Sequence, residues 1–241
     1  GINCIDYKTK KITRFYPKSI NKECTTNIIN RLLKHSDGNV YAFCNRSVFK
    51  CSMNQTVETV FPDIAIPSPT YSVAQAPDKD IYIGTESNGL YIYSENWKLK
   101  KHVPIDGIIA TILPDNNGDI WLGLDETGIC LFNKNKQTFT WLHKDNTNLN
   151  NNSIRTFVPY GDSSILVGTF RGLNILNKKE LTITPANINI AGKGGLSHYS
   201  IHSMLIDKDQ TLWIGTYSAG VNYHSPFYRP VSYITPNEYA G

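Results

Sequence analysis

The sequence predicts an all-β fold, a β-propeller of four-stranded blades, and three observations carry the prediction. One short text recurs as APDKDIYIGTESNGLYIYS (76–94), LPDNNGDIWLGLDETGICLFN (113–133), VPYGDSSILVGTFRGLNILN (158–177) and IDKDQTLWIGTYSAGVNYHS (206–225). Its equivalent glycines, Gly84, Gly123, Gly168 and Gly215, stand 39, 45 and 47 residues apart, and Gly89, Gly128, Gly172 and Gly220 follow in step. Each copy holds a polar turn, a β-branched or aromatic run and a second such run. A period of about 40–50 residues with several short strands is the mark of a propeller blade.

The elements follow in order. Gly1–Asp6 matches the third strands of the later repeats and Ile12–Tyr16 their fourth strands, so residues 1–16 read as half a blade whose first two strands are missing. Residues 28–61 form a degenerate repeat, with Asp37-Gly38 as its hairpin, and clearer blades are expected at about 70–103, 108–143, 153–184 and 200–235. The expectation is therefore a single segment over 1–241, with about five complete blades and a half. Seven blades of ~45 residues need about 315, so the segment reads as a fragment of a seven-bladed ring. The second strands are placed at Ile81–Thr85, Ile120–Leu124, Ile165–Thr169 and Leu212–Thr216, where β-branched and aromatic residues lie between turn formers. Asn116-Asn117-Gly118-Asp119 provides the backbone freedom of a tight hairpin.

Composition narrows the function classes. Twenty-four basic and 20 acidic residues give a net charge of +4 without a basic cluster, which argues against a nucleic-acid surface. No run of about 18 apolar residues suggests a transmembrane helix. The five cysteines, Cys4, Cys24, Cys44, Cys51 and Cys130, form no CxxC pair and no metal-ligand spacing, and their odd number leaves the redox compartment open. His198 and His202 bracket the start of a strand, where four extended residues span ~13 Å, too far for one zinc ion. No metal or cofactor is expected. No GxSxG, HExxH, P-loop or GxGxxG is present, so no catalytic residues are assigned. Asp78, Asp115 and Asp207 recur at one repeat position, which points to a turn hydrogen bond rather than acid–base chemistry. Tyr82, Trp121 and Trp213 recur likewise and read as core between blades.

Recognition is sought where the scaffold repeats and the residues do not. After the second strands the blades carry Glu86, Asp125, Arg171 and Tyr217 in otherwise equivalent turns. Loops between fourth and first strands emerge on the same face; the two long ones are 145–153 and 185–200, the second carrying Gly192, Gly194, Gly195, His198 and Tyr199. Glu86, Asp125, Arg171, Tyr217, His198 and Tyr199 are the expected ligand-binding residues, grouped round a shared concavity. Carboxylate, guanidinium and aromatic groups together suit a polyhydroxylated ligand.

The run LSHYSIHSMLIDKDQTLWIGTYSAGVNYHSPFYRPVSYI (196–234) resembles the regulator-propeller repeats of the periplasmic sensor regions of Bacteroidetes hybrid two-component systems. The resemblance is strong at 76–94, 113–133 and 200–223 and weak over 18–61. It implies a periplasmic, ligand-sensing, non-enzymatic segment that recognises a carbohydrate oligomer and signals to a histidine kinase absent from this chain. It also implies a second propeller, an immunoglobulin-like domain and a homodimer in the full-length receptor. A carbohydrate-active propeller lyase or hydrolase, or a propeller that only binds other proteins, are the alternatives.

Overall fold

The computed structural model describes residues 1–17, 26–45, 47–51, 57–60, 66, 68–186 and 196–225, with only the backbone of 57–60. Its elements are strands arranged as successive antiparallel sheets. A two-stranded sheet, β1 (Ile2–Ile5) and β2 (Ile12–Phe15), comes first. Four four-stranded sheets follow: β3 (Arg31–Lys34), β4 (Val40–Cys44), β5 (Ser47–Cys51) and β6 (Val57–Val60); β7 (Thr70–Gln75), β8 (Ile81–Thr85), β9 (Leu90–Tyr93) and β10 (Leu99–Val103); β11 (Ile109–Pro114), β12 (Asp119–Leu124), β13 (Gly128–Asn133) and β14 (Thr138–Leu142); β15 (Ile154–Tyr160), β16 (Ser164–Thr169), β17 (Gly172–Asn177) and β18 (Ile183–Pro185). The last sheet holds β19 (Ile201–Ile206), β20 (Leu212–Thr216) and β21 (Val221–His224). Each sheet is a meander in chain order, and the first strands adjoin one another from β3 through β7, β11 and β15 to β19. This is a β-propeller. Cys24, Gly192, Gly194, Gly195 and the fourth strand expected to end near residue 235 lie outside the described residues.

The core lies between sheets, not within them. Tyr82, Leu90 and Ile92 of one blade pack on Ile109, Ile112 and Ile120 of the next, and Trp121 and Ile129 pack on Ile154, Phe157 and Ile165. Leu166 and Leu173 meet Ile201 and Ile214 in the same way, while Tyr41 and Phe43 meet Ile81 and Ile83. Ile2 of the half blade rests against the cluster of Ala42, Cys44 and Phe49. Gly123 shows why the second strand carries glycine. A Cβ there would lie 2.5 Å from Cγ2 of Ile154 in the next blade and 2.5 Å from Cγ2 of Thr111. Gly84 and Gly168 are confined in the same way by Ile109 and Ile201, so the glycines let successive blades close to packing distance.

Ion pairs repeat the same blade-to-blade pattern. Lys134 reaches back to Asp78 and to the buried Asp80 at 2.7 Å, and Lys178 reaches back to Asp115 at 3.0 Å. Partial burial works against the charged form of Asp115, but the Lys178 hydrogen bond and the Asn116 amide outweigh it and hold its carboxyl below the usual range. The recurring aspartates are turn acceptors: Asp78 takes the Asp80 amide at 3.1 Å, Asp115 the Asn116 amide at 2.8 Å, and Asp207 the Asp209 and Thr211 amides at 2.9 Å each. Cys4, Cys51 and Cys130 are free thiols, and burial pushes that of Cys130 up to about 12.

One expectation about packing fails. Tyr82 and Trp121 are buried at 0% and 1% exposure, but Trp213 is 40% exposed. Its sheet shows Leu205, Val221 and Tyr223 on the same face, all exposed, because among the described residues no further sheet covers it.

Candidate functional site

The site begins with a repeated irregularity in strand pairing. In four first strands the register against the second strand slips at the same place: between Thr70 and Ser72, Ile109 and Thr111, Ile154 and Thr156, and Ile201 and Ser203. The extra residues are Tyr71, Ala110, Arg155 and His202. A bulge leaves its extra residue unpaired and turns it away from the ladder. All four line one cavity of about 490 Å³, with Asn30, Arg31 and Glu86 completing its polar wall. All five first strands contribute, which places the cavity where they converge, and Glu86 puts it on the face of the second-to-third-strand turns.

The rim around it is held by one hydrogen bond used four times. The amides of Glu86, Asp125, Phe170 and Tyr217, each just past a second strand, donate to the carbonyls of Pro69, Ile108, Ser153 and Ser200, each just ahead of a first strand, at 3.0–3.1 Å. The loop at 145–153 is fastened as well. Asn150 Oδ1 accepts from Thr169 Oγ1 and from Nδ2 of the fully buried Asn174, both at 2.8 Å, and Leu149 is buried. Asn222, equivalent to Asn174, grips Ser197 through its amide (3.0 Å) and its hydroxyl (2.8 Å). These hydrogen bonds hold the turns, and the described part of each loop, to the strands beside them.

Within the cavity the side chains are individually placed. Asn30 Nδ2 donates to the Thr70 carbonyl at 3.0 Å. Arg155 sits 3.4 Å from Asp125 Oδ2, and its guanidinium lies 5.9 Å from the centre of the Phe170 ring. Arg31 donates to the Asn30 carbonyl at 2.8 Å and lies 5.8 Å from the centre of the Tyr71 ring. The result is a recess with guanidinium, imidazole, amide, carboxylate and phenol groups, inside the size range of small-molecule sites.

Of the six residues expected from sequence, Glu86 lines this cavity and Asp125 reaches it through Arg155. Arg171, Tyr217, His198 and Tyr199 are not among its lining residues. Arg171 is exposed on its turn, Tyr217 is 73% exposed, and His198 accepts the Ser200 amide at 3.0 Å while stacking on Tyr199 at 4.4 Å. The structure adds Asn30, Arg31, Tyr71, Arg155 and His202. For Tyr71, Arg155 and His202 a signal was present in the sequence: Thr-Tyr-Ser, Ile-Ala-Thr, Ile-Arg-Thr and Ile-His-Ser have similar flanks and differ in the middle. Among the described residues no cluster of three or more His, Cys, Asp or Glu side chains could hold a metal ion.

Comparison with known proteins agrees with the fold. Residues 195–218 match the family model described as two component regulator propeller. No curated protein matches the chain. Among solved structures, the extracellular domain of BT3049 from B. thetaiotaomicron, assigned as a hybrid two component system, superposes with a TM-score of 0.73 at 24% identity, over 92% of this chain and 30% of its own. The extracellular domain of BT4673 from the same organism, assigned as a one component system, gives 0.65 at 18% identity over 82% of this chain and 28% of its own. PorZ of Porphyromonas gingivalis, a surface component of the type-IX secretion system, gives 0.63 at 17% over 83% and 33%. The chain thus spans about a third or less of each of these chains. It is a β-propeller in which residues 195–218 match the two component regulator propeller model.

Proposed function

We propose that this propeller is a ligand-sensing module working outside the cytoplasm, in the periplasm, and that its central cavity receives a carbohydrate oligomer. The observation that carries the reading is the set of four equivalent bulges: the scaffold repeats, yet each bulge delivers a different residue to one shared recess. Packing would select similar residues at such positions, whereas recognition selects different ones. The likeness of a repeat to two component regulator propellers supports a sensing role, with the signal passed to a histidine kinase in another part of the protein. A second propeller, an immunoglobulin-like domain and a homodimeric receptor belong to the same reading. The cavity wall offers Glu86 as its one carboxylate among the described residues, which favours binding over glycoside hydrolysis by a carboxylate pair.

Calorimetric titration with neutral and acidic oligosaccharides tests the proposal. Tyr71→Ala and Arg155→Ala are expected to weaken binding by ~1–3 kcal/mol each, as for buried contacts. Arg171→Ala and Tyr217→Ala should leave it nearly unchanged. The opposite pattern would move the site from the cavity to the outer rim.

A further inference from the structure

The first four-stranded blade departs from the repeat at one cross-strand pair, and that departure faces the cavity. In the four later blades the residue after the bulge is a small hydroxyl opposite a glycine: Ser72 with Gly84, Thr111 with Gly123, Thr156 with Gly168 and Ser203 with Gly215. The corresponding pair in β3 and β4 is Arg31 with Phe43. Both partners have changed together. Phe43 is fully buried and packs with Ile81 and Ile83 of the next blade, where the later blades carry glycine. Arg31 replaces a hydroxyl that, at Ser72, only donates to a carbonyl of the next blade.

Packing does not account for a guanidinium at this position. Among the described residues the Arg31 guanidinium makes one hydrogen bond, to the Asn30 carbonyl, lies by the Tyr71 ring and forms no ion pair with a carboxylate. The other cavity arginine, Arg155, already faces Asp125. Glu86 is the remaining charged group of the wall, and no ion pair joins it to Arg31 among the described residues. Arg31 is thus a cation at the mouth of a polar recess with its fork of donors still to be used, the geometry that suits carboxylate or sulfate bidentately.

We propose that Arg31 is an anion anchor and that the cavity takes an acidic saccharide, one whose carboxylate or sulfate group meets Arg31 while its hydroxyls meet Asn30 and Glu86 and a ring face meets Tyr71. The inference rests on the cavity being the ligand site. Binding is measured for trigalacturonate and its methyl ester, for a sulfated chondroitin disaccharide and its desulfated form, and for neutral cellotriose. The parent protein is compared with Arg31→Ser, Arg31→Lys and Tyr71→Ala, each checked by thermal melting.

An acidic probe should bind at least about tenfold more tightly than its neutralised or desulfated counterpart and should weaken as salt rises. Arg31→Ser, which installs the residue type of two other blades, should abolish that difference, and Arg31→Lys should restore part of it. Whether trigalacturonate or the sulfated disaccharide shows the effect separates carboxylate from sulfate. Equal affinity for charged and neutral probes, no response to Arg31→Ser, or no binding of any probe overturns the anion anchor. If Arg31→Ser has no effect but Tyr71→Ala still abolishes binding, the anchor fails and the cavity stands. Should an acidic probe bind identically to the parent and all three variants, the cavity itself is not the site.

Discussion

Trp121 and Trp213 occupy the same place in two copies of one sequence text, and their fates differ. Trp121 is 1% exposed, pressed on the following blade, while Trp213 is 40% exposed, held by Asp207 through its indole N–H at 2.7 Å and by the Tyr223 ring at 5.6 Å. The middle blades from β7 to β18 therefore differ from the sheet β19–β21 in surroundings, not in local design. A repeat specifies a blade; a core forms only where two blades meet, as in other repeat architectures whose stability resides at the interfaces between units.

The sharpest test of that difference is to remove both rings. Trp121→Ala should cost ~3–5 kcal/mol, the cost of a large cavity in a packed core. Trp213→Ala should cost ~1 kcal/mol or less, since much of its ring already faces solvent. Urea unfolding of the two variants gives both values, and equal losses would show that the last sheet is covered in solution.

Next in size is the closeness of the blades. Gly123→Ala places a methyl group against Ile154 and Thr111, neither of which can swing aside, and should destabilise by ~1–3 kcal/mol. Gly215→Ala meets chiefly the Ser203 hydroxyl, which can rotate away, and should fall within about 0.5 kcal/mol of the parent. Thermal melts of the pair measure the gap. Equal effects would mean that glycine serves the strand itself rather than its neighbour.

The ease of reading from sequence follows the same division. The second strands expected at Ile81–Thr85, Ile120–Leu124, Ile165–Thr169 and Leu212–Thr216 agree with β8, β12, β16 and β20 to within one residue, because local β-propensity and flanking turns set them. The solvent-facing side of Trp213 was not legible, because burial depends on a neighbour that the local text does not contain. The cavity was half legible. Variation among equivalent positions led to Glu86, which lines it, and to Asp125, which meets Arg155 of its wall. The same variation led to Arg171 and Tyr217, which stand on exposed turns outside its lining. The bulge residues vary while their flanks repeat, and that conjunction marks the cavity wall; the bulge itself arises from pairing register and is not visible along one strand.

A smaller effect belongs to the ion pairs that link blades. Lys178→Met removes the partner of the mostly buried Asp115 and should cost about 1 kcal/mol at neutral pH. Its pH dependence has a definite sign. The Asp115 carboxyl titrates lower in the folded than in the unfolded chain, so its stabilisation is complete above about pH 4 and is lost as pH falls through the lowered value. The difference between parent and Lys178→Met should therefore shrink on acidification. At the last sheet the position of Lys134 and Lys178 is taken by Ser225. A parent–variant difference that persisted unchanged into acid would detach the lysine from the aspartate.

The smallest stability effect is expected on the face of the last sheet that no other described sheet covers. Leu205 is 61% exposed, beside Trp213 and on the same side as Val221 and Tyr223. Leu205→Thr places a β-branched residue in the strand and removes apolar surface that already meets water, so stability should stay within about 0.5 kcal/mol. Association should respond where stability does not. Four large apolar side chains on one sheet face form a contiguous patch of the kind that drives self-contact, and sedimentation over a range of concentrations should show less association in the variant than in the parent. A substantial loss of stability would show that Leu205 is buried in solution, and with it that the last sheet is packed like the middle ones. Unchanged stability with reduced association would show that the same strand text can serve as core in one blade and as contact surface in another.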